Sequence, residues 1–471
     1  MEEVKIFRRV LSDVTPVPDR RVCPTVTPGY LRPLIPEQPP TEPEEWSQIQ
    51  ADVDTKIKPG LTHWQHPNFM AFYPATVTYP SILGEMYSAA FNAPAFNWLC
   101  SPACTELETI VLDWVAQALN LPKCFMSSSE NRGGGVLQVS ASDTIATVMV
   151  AARERRVREL ALAEGLKEGT LEYEDRVMDL RPRLVAMGSN QAHSSTAKGA
   201  LIAGTRYRSA TAKLENNMEL TGDDVRAVLE QCEKDNLTPY YITLSMGTTS
   251  TCAVDRISEV TAVLREKPSW QRIWVHIDAA YAGSALVADE FQYLAKDLAE
   301  GVDSFNFNMH KWLLVNFDAS ISLGRRFRAL KIWFVMRSYG LNGLKAHVRK
   351  TIRVGDEFTN LVRSRSDLFE LITKPAFGLT VFRIKDPRAQ ANGSAVNRTT
   401  AVKPNEKNDA LTKEVYELIN ERGEIFITST VVSGIYAIRV ICANEAAEEK
   451  YLRRAFEILV ETTDEVLGRS N

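Results

Sequence analysis

Residues 303–318 read Asp-Ser-Phe-Asn-Phe-Asn-Met-His-Lys-Trp-Leu-Leu-Val-Asn-Phe-Asp, and they set Lys311 between two apolar runs. Lysine is seldom buried without a task. Desolvation lowers an amine pKa, and the neutral amine is the form that makes a Schiff base. Taken alone, the same text also fits a surface lysine at a strand end, so its neighbours have to decide. Upstream, Trp274-Val-His276-Ile-Asp278-Ala279-Ala280-Tyr281 ends a second apolar run on an aspartate. Open α/β sheets bind ligands outside the carboxyl ends of their strands. A carboxylate there can keep a heterocyclic nitrogen protonated, or simply cap a helix.

Two further stretches follow the same plan. Asn190-Gln-Ala-His193-Ser-Ser places a flat, partly cationic ring after another apolar run, where it can stack on a heterocycle or serve structure. Gly133-Gly-Gly135-Val-Leu-Gln-Val139-Ser140-Ala141-Ser142-Asp-Thr leads from glycines through a short strand into a helix start. Backbone N–H groups at such a start suit a phosphate, though serine and aspartate are also ordinary caps. The order (helix start, histidine, aspartate, lysine) is more telling than any one of them.

Apolar runs at Gly135–Val139, Arg183–Met187, Tyr240–Met246, Arg272–Ile277 and Ser304–Phe307 alternate with helical patterns such as Asp143–Val157 and Asp223–Cys232. That alternation predicts an α/β fold, a mostly parallel sheet with helices on both faces. Ser101-Pro102 predicts a helix start, with Leu107, Ile110, Val111, Trp114, Val115 and Leu119 on one face. The first 45 residues are proline-rich and read as an extended arm. Residues 384–410 read as a polar surface insertion. The last 60 or so predict a small α+β unit: helix Asp409–Arg422, strands Gly423–Thr430 and Ile435–Ile441, then a terminal helix. The expected division is an arm and swap segment over 1–78, a large ligand-binding domain over 79–336 and a small domain over 337–471.

Composition narrows the function. A net charge of −4 supplies no basic field for nucleic acid. No apolar run approaches the roughly 18–20 residues that span a bilayer. The charged start is no secretory signal, and seven scattered cysteines suit free thiols, so the expected location is the cytoplasm. Sequons at Asn236, Asn392 and Asn397 are read as chance matches. His63-Trp-Gln-His66 lacks a carboxylate or cysteine partner, and no metal is expected.

The chain resembles the pyridoxal-5′-phosphate (PLP)-dependent group II decarboxylases, and closely the aromatic L-amino-acid decarboxylases. The text that carries the likeness includes Arg21-Val-Cys-Pro-Thr-Val-Thr-Pro-Gly-Tyr-Leu-Arg-Pro33, Ser101-Pro-Ala-Cys-Thr-Glu-Leu-Glu108, Gln191-Ala-His-Ser-Ser195, His276-Ile-Asp-Ala-Ala-Tyr-Ala-Gly-Ser-Ala285 and residues 303–318. The resemblance implies a fold-type-I PLP domain in a homodimer, the arm lying on the second subunit. It implies that Lys311 holds PLP as a Schiff base, Asp278 pairs with the pyridine nitrogen and Ala280 lies against the ring. His193 is expected to stack on the other ring face, with His310 and Thr249 close by. Ser140, Ala141, Ser142 and Asn308 are expected to hold the phosphate. Trp64, Phe72, Tyr73, Pro74 and Phe96 match the aromatic-substrate pocket, and Gly378 a position tied to indole rather than phenol preference. The implied activity is decarboxylation of tryptophan, phenylalanine and possibly tyrosine to arylalkylamines. Aldehyde formation, or a non-catalytic PLP-binding homologue, is the alternative.

The sequence also departs from the family. Met309 replaces the usual proline before His-Lys, and Val139 replaces a glycine. More seriously, Ser320 is followed directly by Ile321, where the family has a further strand and a loop of about forty residues, a size usually functional. That loop carries the tyrosine thought to protonate Cα. The expectation is that the segment exists but is left out of the numbering, so the Cα atoms of Ser320 and Ile321 should stand well beyond about 3.8 Å.

Overall fold

Strand formation follows the apolar runs closely. In the computed structural model, which describes residues 21–93, 97–130, 133–317, 327–387 and 402–469, five strands form one parallel sheet. They are β1 (Leu184–Ser189), β2 (Arg206–Ala210), β3 (Thr238–Ser245), β4 (Trp274–Asp278) and β5 (Ser304–Asn306), in the order β2-β1-β3-β4-β5. Side chains alternate between faces with period two. Val185 and Met187 join the core around Ile242 and Leu244, whereas Leu184 and Ala186 join the one around Ile145 and Met149. Both faces are therefore apolar, and helices cover them: Ala141–Ala163 and Ser195–Ile202 on one side, Gly222–Lys234 and Ile257–Leu264 on the other.

The predicted helix after Ser101 is present as Pro102–Ala118. Two strand expectations need correction. Gly135–Val139 forms no ladder, because β5 is the last strand on that side among the described residues. The strand expected over Gly423–Thr430 starts only at Thr428, because Gly423 turns the chain at φ 68° and Phe426 bridges Phe69 instead. β2 was missed. Its Arg206-Tyr-Arg-Ser-Ala text is polar because it is an edge strand, where charge discourages further pairing.

The C-terminal sheet is antiparallel, with β6 (Phe369–Leu371), β7 (Leu379–Ile384), β8 (Thr428–Val432) and β9 (Ile435–Ile441) in the order β6-β7-β9-β8. Helices Glu406–Arg422 and Glu449–Arg469 and the later part of Ala329–Ser364 close its core around Phe358, Phe382, Ile438 and Leu459. That last helical run crosses the expected boundary at 336/337, and Gly340 is its non-helical residue. The arm is pinned where Val22 packs with Phe69, Ala71 and Phe426. The Ser320–Ile321 junction and most of the 384–410 insertion lie outside the described residues, as do Asn392 and Asn397. Among the described residues, no helix is long and apolar enough to cross a membrane.

Candidate active site

The carboxyl ends of β3, β4 and β5 open into a cavity of about 170 Å³. Lining it are Ser140, Ala141, Ser142, His193, Thr249, Asp278, Ala280, Asn308, His310, Lys311 and Tyr73, every residue the sequence assigned to cofactor plus one from the substrate list. They come from six separate stretches of the chain, brought together because parallel strands all end on one edge.

Lys311 stands on the short helix Met309–Trp312, held by the loop that precedes helix Tyr79–Phe91. The Thr76 N–H and hydroxyl both donate to the His310 carbonyl (2.8 and 3.0 Å), and the Thr78 hydroxyl donates to that of Leu314 (2.8 Å). The Lys311 amine lies 5.4 Å from the centre of the Tyr73 ring. Burial lowers its pKa, against the pull of Asp278, which favours the neutral nucleophile. Tyr73 stacks on Tyr281 (3.9 Å) and Tyr281 on Trp312 (4.8 Å), so three rings wall one side.

Asp278 ends β4, and one of its oxygens accepts the Ala280 N–H at 3.1 Å. A chain of polar groups leads to that same oxygen. The Trp274 indole donates to the Ser304 hydroxyl (2.8 Å), which lies 2.8 Å from His276 Nδ1. His276 Nε2 is 2.7 Å from the Asn306 side-chain oxygen, and the Asn306 amide donates to Asp278 at 3.5 Å. An amide oxygen only accepts, so Nε2 must carry the proton and Ser304 must donate to Nδ1. Burial lowers the His276 pKa despite Asp278, in keeping with a neutral ring.

At the opposite end, Ser140 caps helix Ala141–Ala163 by accepting the Asp143 N–H. Ser140, Ala141 and Ser142 line the cavity at this helix start, where first-turn N–H groups suit an anion. His193 Nδ1 accepts the Ser195 N–H (3.2 Å) and lies 2.8 Å from its hydroxyl. Desolvation lowers the His193 pKa, as Lys311 also does, while Asp278 raises it. His310 is pushed down to about 4 by burial and by the nearby Lys311 and Lys331. Its Nδ1 is buried without a partner among the described residues. A buried amine, a carboxylate, an anion-binding helix end and a flat ring converge on one cavity. That set fits a planar heterocycle carrying a carbonyl and a phosphate.

The substrate list fares differently. Trp64 and Phe72 join Phe69 and Phe426 in an aromatic cluster that does not line the cavity. Pro74 is buried beside Tyr73 and also stands off it. Phe96 lies outside the described residues. Gly378 is not at the cavity wall: a Cβ on the facing Gly355 would meet its Cα at 2.6 Å, and its carbonyl accepts the Cys442 N–H. Its left-handed φ of 78° explains the glycine without any reference to substrate.

Sequence reading missed Tyr281, Asn306 and Arg439. Arg439 donates to the Ser250 carbonyl and the Thr428 hydroxyl and lies 5.3 Å from the Tyr73 ring centre. An arginine at an inward position of a strand was the available signal.

Comparisons with known proteins agree with the geometry. The model of the pyridoxal-dependent decarboxylase conserved domain matches residues 28–322 and 318–385. An aromatic-L-amino-acid decarboxylase of Manduca sexta is 35% identical over 97% of this chain and 90% of its own. Catharanthus roseus tryptophan decarboxylase, solved in complex with L-tryptophan, superposes with a TM-score of 0.86 at 33% identity, covering 98% of this chain and 97% of that one. Rhodiola rosea 4-hydroxyphenylacetaldehyde synthase gives 0.87 at 31% identity, covering 99% and 98%. The two pieces of the family match meet within residues 318–322, where the full sequence runs directly from Ser320 to Ile321. The Manduca alignment needs 496 positions to cover 97% of 471 residues, which leaves roughly forty without a counterpart here. The segment expected to be hidden is therefore not part of this sequence.

Proposed function

The chain belongs to the pyridoxal-dependent decarboxylases, carboxy-lyases that use PLP, and from that premise we propose that it decarboxylates aromatic L-amino acids, tryptophan and phenylalanine ahead of tyrosine. The observation that carries this reading is the buried Lys311 amine in one cavity with Asp278 and an anion-binding helix end. Bound PLP supplies an electron sink for the pair of electrons left when the carboxylate departs as CO₂.

The protein's own groups set the conditions for that chemistry. Lys311, whose amine pKa burial lowers, would anchor the cofactor through its aldehyde carbon. Asp278, oriented by Asn306 and the Ala280 N–H, holds the ring nitrogen proton. His193, on the cavity lining, would stack on the ring. The N–H groups behind Ser140, with Ala141, Ser142 and Asn308, take the phosphate. Thr249, Ala280 and His310 complete the wall, and Tyr73 offers the substrate ring an apolar face. The working division into 1–78, 79–336 and 337–471 follows these roles.

A homodimer in the cytoplasm completes the proposal. Tyr79, Leu83, Met86, Tyr87 and Phe91 leave an apolar stripe exposed along one helix, as a subunit interface would. Sedimentation that gave an active monomer at micromolar concentration would exclude the dimer.

A second reading has its own support. No tyrosine loop follows Ser320, so the acid the resemblance assigns to Cα is missing. Oxidative deamination then competes: O₂ is reduced to peroxide and one water is consumed while the substrate leaves as aldehyde, CO₂ and ammonia. Quantifying amine, aldehyde, CO₂ and peroxide from tryptophan, phenylalanine and tyrosine tests both. Amine and CO₂ in equal amounts support decarboxylation, and aldehyde matched by peroxide supports the second reading. No CO₂ from any of the three refutes the enzyme assignment.

A further inference from the structure

The hydrogen-bond line that reaches Asp278 is laid out by two alternating stretches of sequence. Along β4, Trp274, His276 and Asp278 share one face of the sheet, and Val275 and Ile277 take the other. Val275 and Ile277 join the core around Ile242 and Leu244, whereas Trp274 packs on the one around Ile145 and Met149. Along β5, Ser304 and Asn306 share a face, and the parallel register sets Ser304 beside His276 and Asn306 beside Asp278. His276, Asn306 and Asp278 are buried, so these polar groups have to satisfy one another.

The two ends of the line fix its direction. A carboxylate only accepts, so Asn306 must turn its NH₂ toward Asp278 and its oxygen toward His276. That oxygen needs the proton on His276 Nε2, which leaves Nδ1 to accept from the Ser304 hydroxyl. At the far end an indole N–H only donates, so Trp274 engages Ser304 as an acceptor and leaves the hydroxyl hydrogen for Nδ1. Every group then donates in the same sense, from Trp274 to Asp278. Burial lowers the His276 pKa and so favours the neutral ring that this order requires. Without the indole donor, His276 can move its proton to Nδ1 and Asn306 can turn over. Turned over, the amide sets its oxygen against the carboxylate, and Asp278 loses a donor that aims it.

We propose that Trp274 and Ser304 are positioning residues for Asp278: they hold His276 as its Nε2–H tautomer and Asn306 with its NH₂ forward, and so keep a donor aimed at the carboxylate. A strand rises about 3.3 Å per residue, so Trp274 acts on Asp278 from about 13 Å away. The proposal rests on the reading that Asp278 holds the PLP ring nitrogen proton.

The test loads the protein with PLP isotopically labelled at its ring nitrogen, whose NMR shift separates the protonated from the unprotonated ring. Wild-type protein should show the protonated nitrogen. Trp274→Phe keeps an aromatic ring and deletes the N–H. It should move the nitrogen signal toward the unprotonated position and lower kcat on L-tryptophan about tenfold, with KM changed less than about twofold. Ser304→Ala should do the same, and Ser304→Thr, which keeps a hydroxyl, should retain the wild-type signal. The double variant Trp274→Phe/Ser304→Ala should lose no more than about twofold beyond either single change, because each releases the same line. Arg155 lies 4.5 Å over the Trp274 ring and makes no bond within the line, so Arg155→Gln should leave signal and turnover unchanged. Losses that multiply in the double variant overturn the proposal, as does an Arg155→Gln protein that matches Trp274→Phe. A protonated wild-type nitrogen that Trp274→Phe and Ser304→Ala leave unmoved overturns the proposal alone. Wild-type protein that forms no Schiff base with PLP, or holds it with an unprotonated nitrogen, removes the cofactor reading and the proposal together.

Discussion

The two ends of the cofactor cavity are built differently. Asp278 ends β4, an inner strand paired on both sides, and its carboxylate closes a line of hydrogen bonds from Trp274. The helix-start end, proposed above for the phosphate, lies beside β5, the last strand on that side among the described residues, and Gly133–Val136 leading to it are exposed. A carboxylate that must be aimed needs neighbours that orient it, and the Ala280 N–H and Asn306 amide both donate to one Asp278 oxygen. Backbone N–H groups at a helix start need only the helix to hold their direction, so that end tolerates exposure. The buried end should therefore be sensitive to single changes and the rim tolerant of them.

The largest effect is expected on the floor itself. Lys311→Ala should abolish turnover and the Schiff-base absorbance while circular dichroism stays native, and retention of both signals would remove the assignment. Asp278→Asn should cost about 10³-fold in kcat/KM, since it deletes the charge and spares the shape. A loss of only a few-fold would mean that the aspartate end is no more critical than the rim.

Acid should expose the buried end next. His310 and His347 are both pushed down to about 4 by burial, against an ordinary value near 6.5. Between those values the unfolded chain binds the extra protons, so stability must fall as pH drops from about 6.5 towards about 4. Each histidine can contribute up to about 3 kcal/mol, and above about 6.5 neither contributes to the pH slope. Urea unfolding of the cofactor-free protein at pH 7.5 and 5 measures this, and His347→Gln should flatten the dependence.

Asn306→Ala tests the hydrogen-bond line. It leaves the His276 N–H unpaired in the core and should cost about 2 kcal/mol in urea unfolding. Val136→Ser on the exposed rim should change stability by no more than about 0.5 kcal/mol. Equal costs at the two positions would erase the contrast between the ends.

Much of this was legible in the sequence because it is local. The strand runs, the serine-proline helix start and the separate motifs around Ser140, His193, Asp278 and Lys311 are each written within a dozen residues. Non-local features were not legible. Arg439 meets Tyr73 from 366 positions away, and Gly378 packs its backbone on Gly355 and stands off the cavity lining. Gly135–Val139 has the text of a strand, but a ladder needs a neighbour, and its own residues cannot report whether one exists.

The sequence by itself determined the fold class and the family and named the residues proposed to hold the cofactor, because periodicity and motifs are properties of contiguous text. Tertiary structure alone decided which aromatic residues reach the cavity, how Asp278 is aimed and where the sheet ends. Those depend on distances between segments far apart in the chain, which only packing fixes.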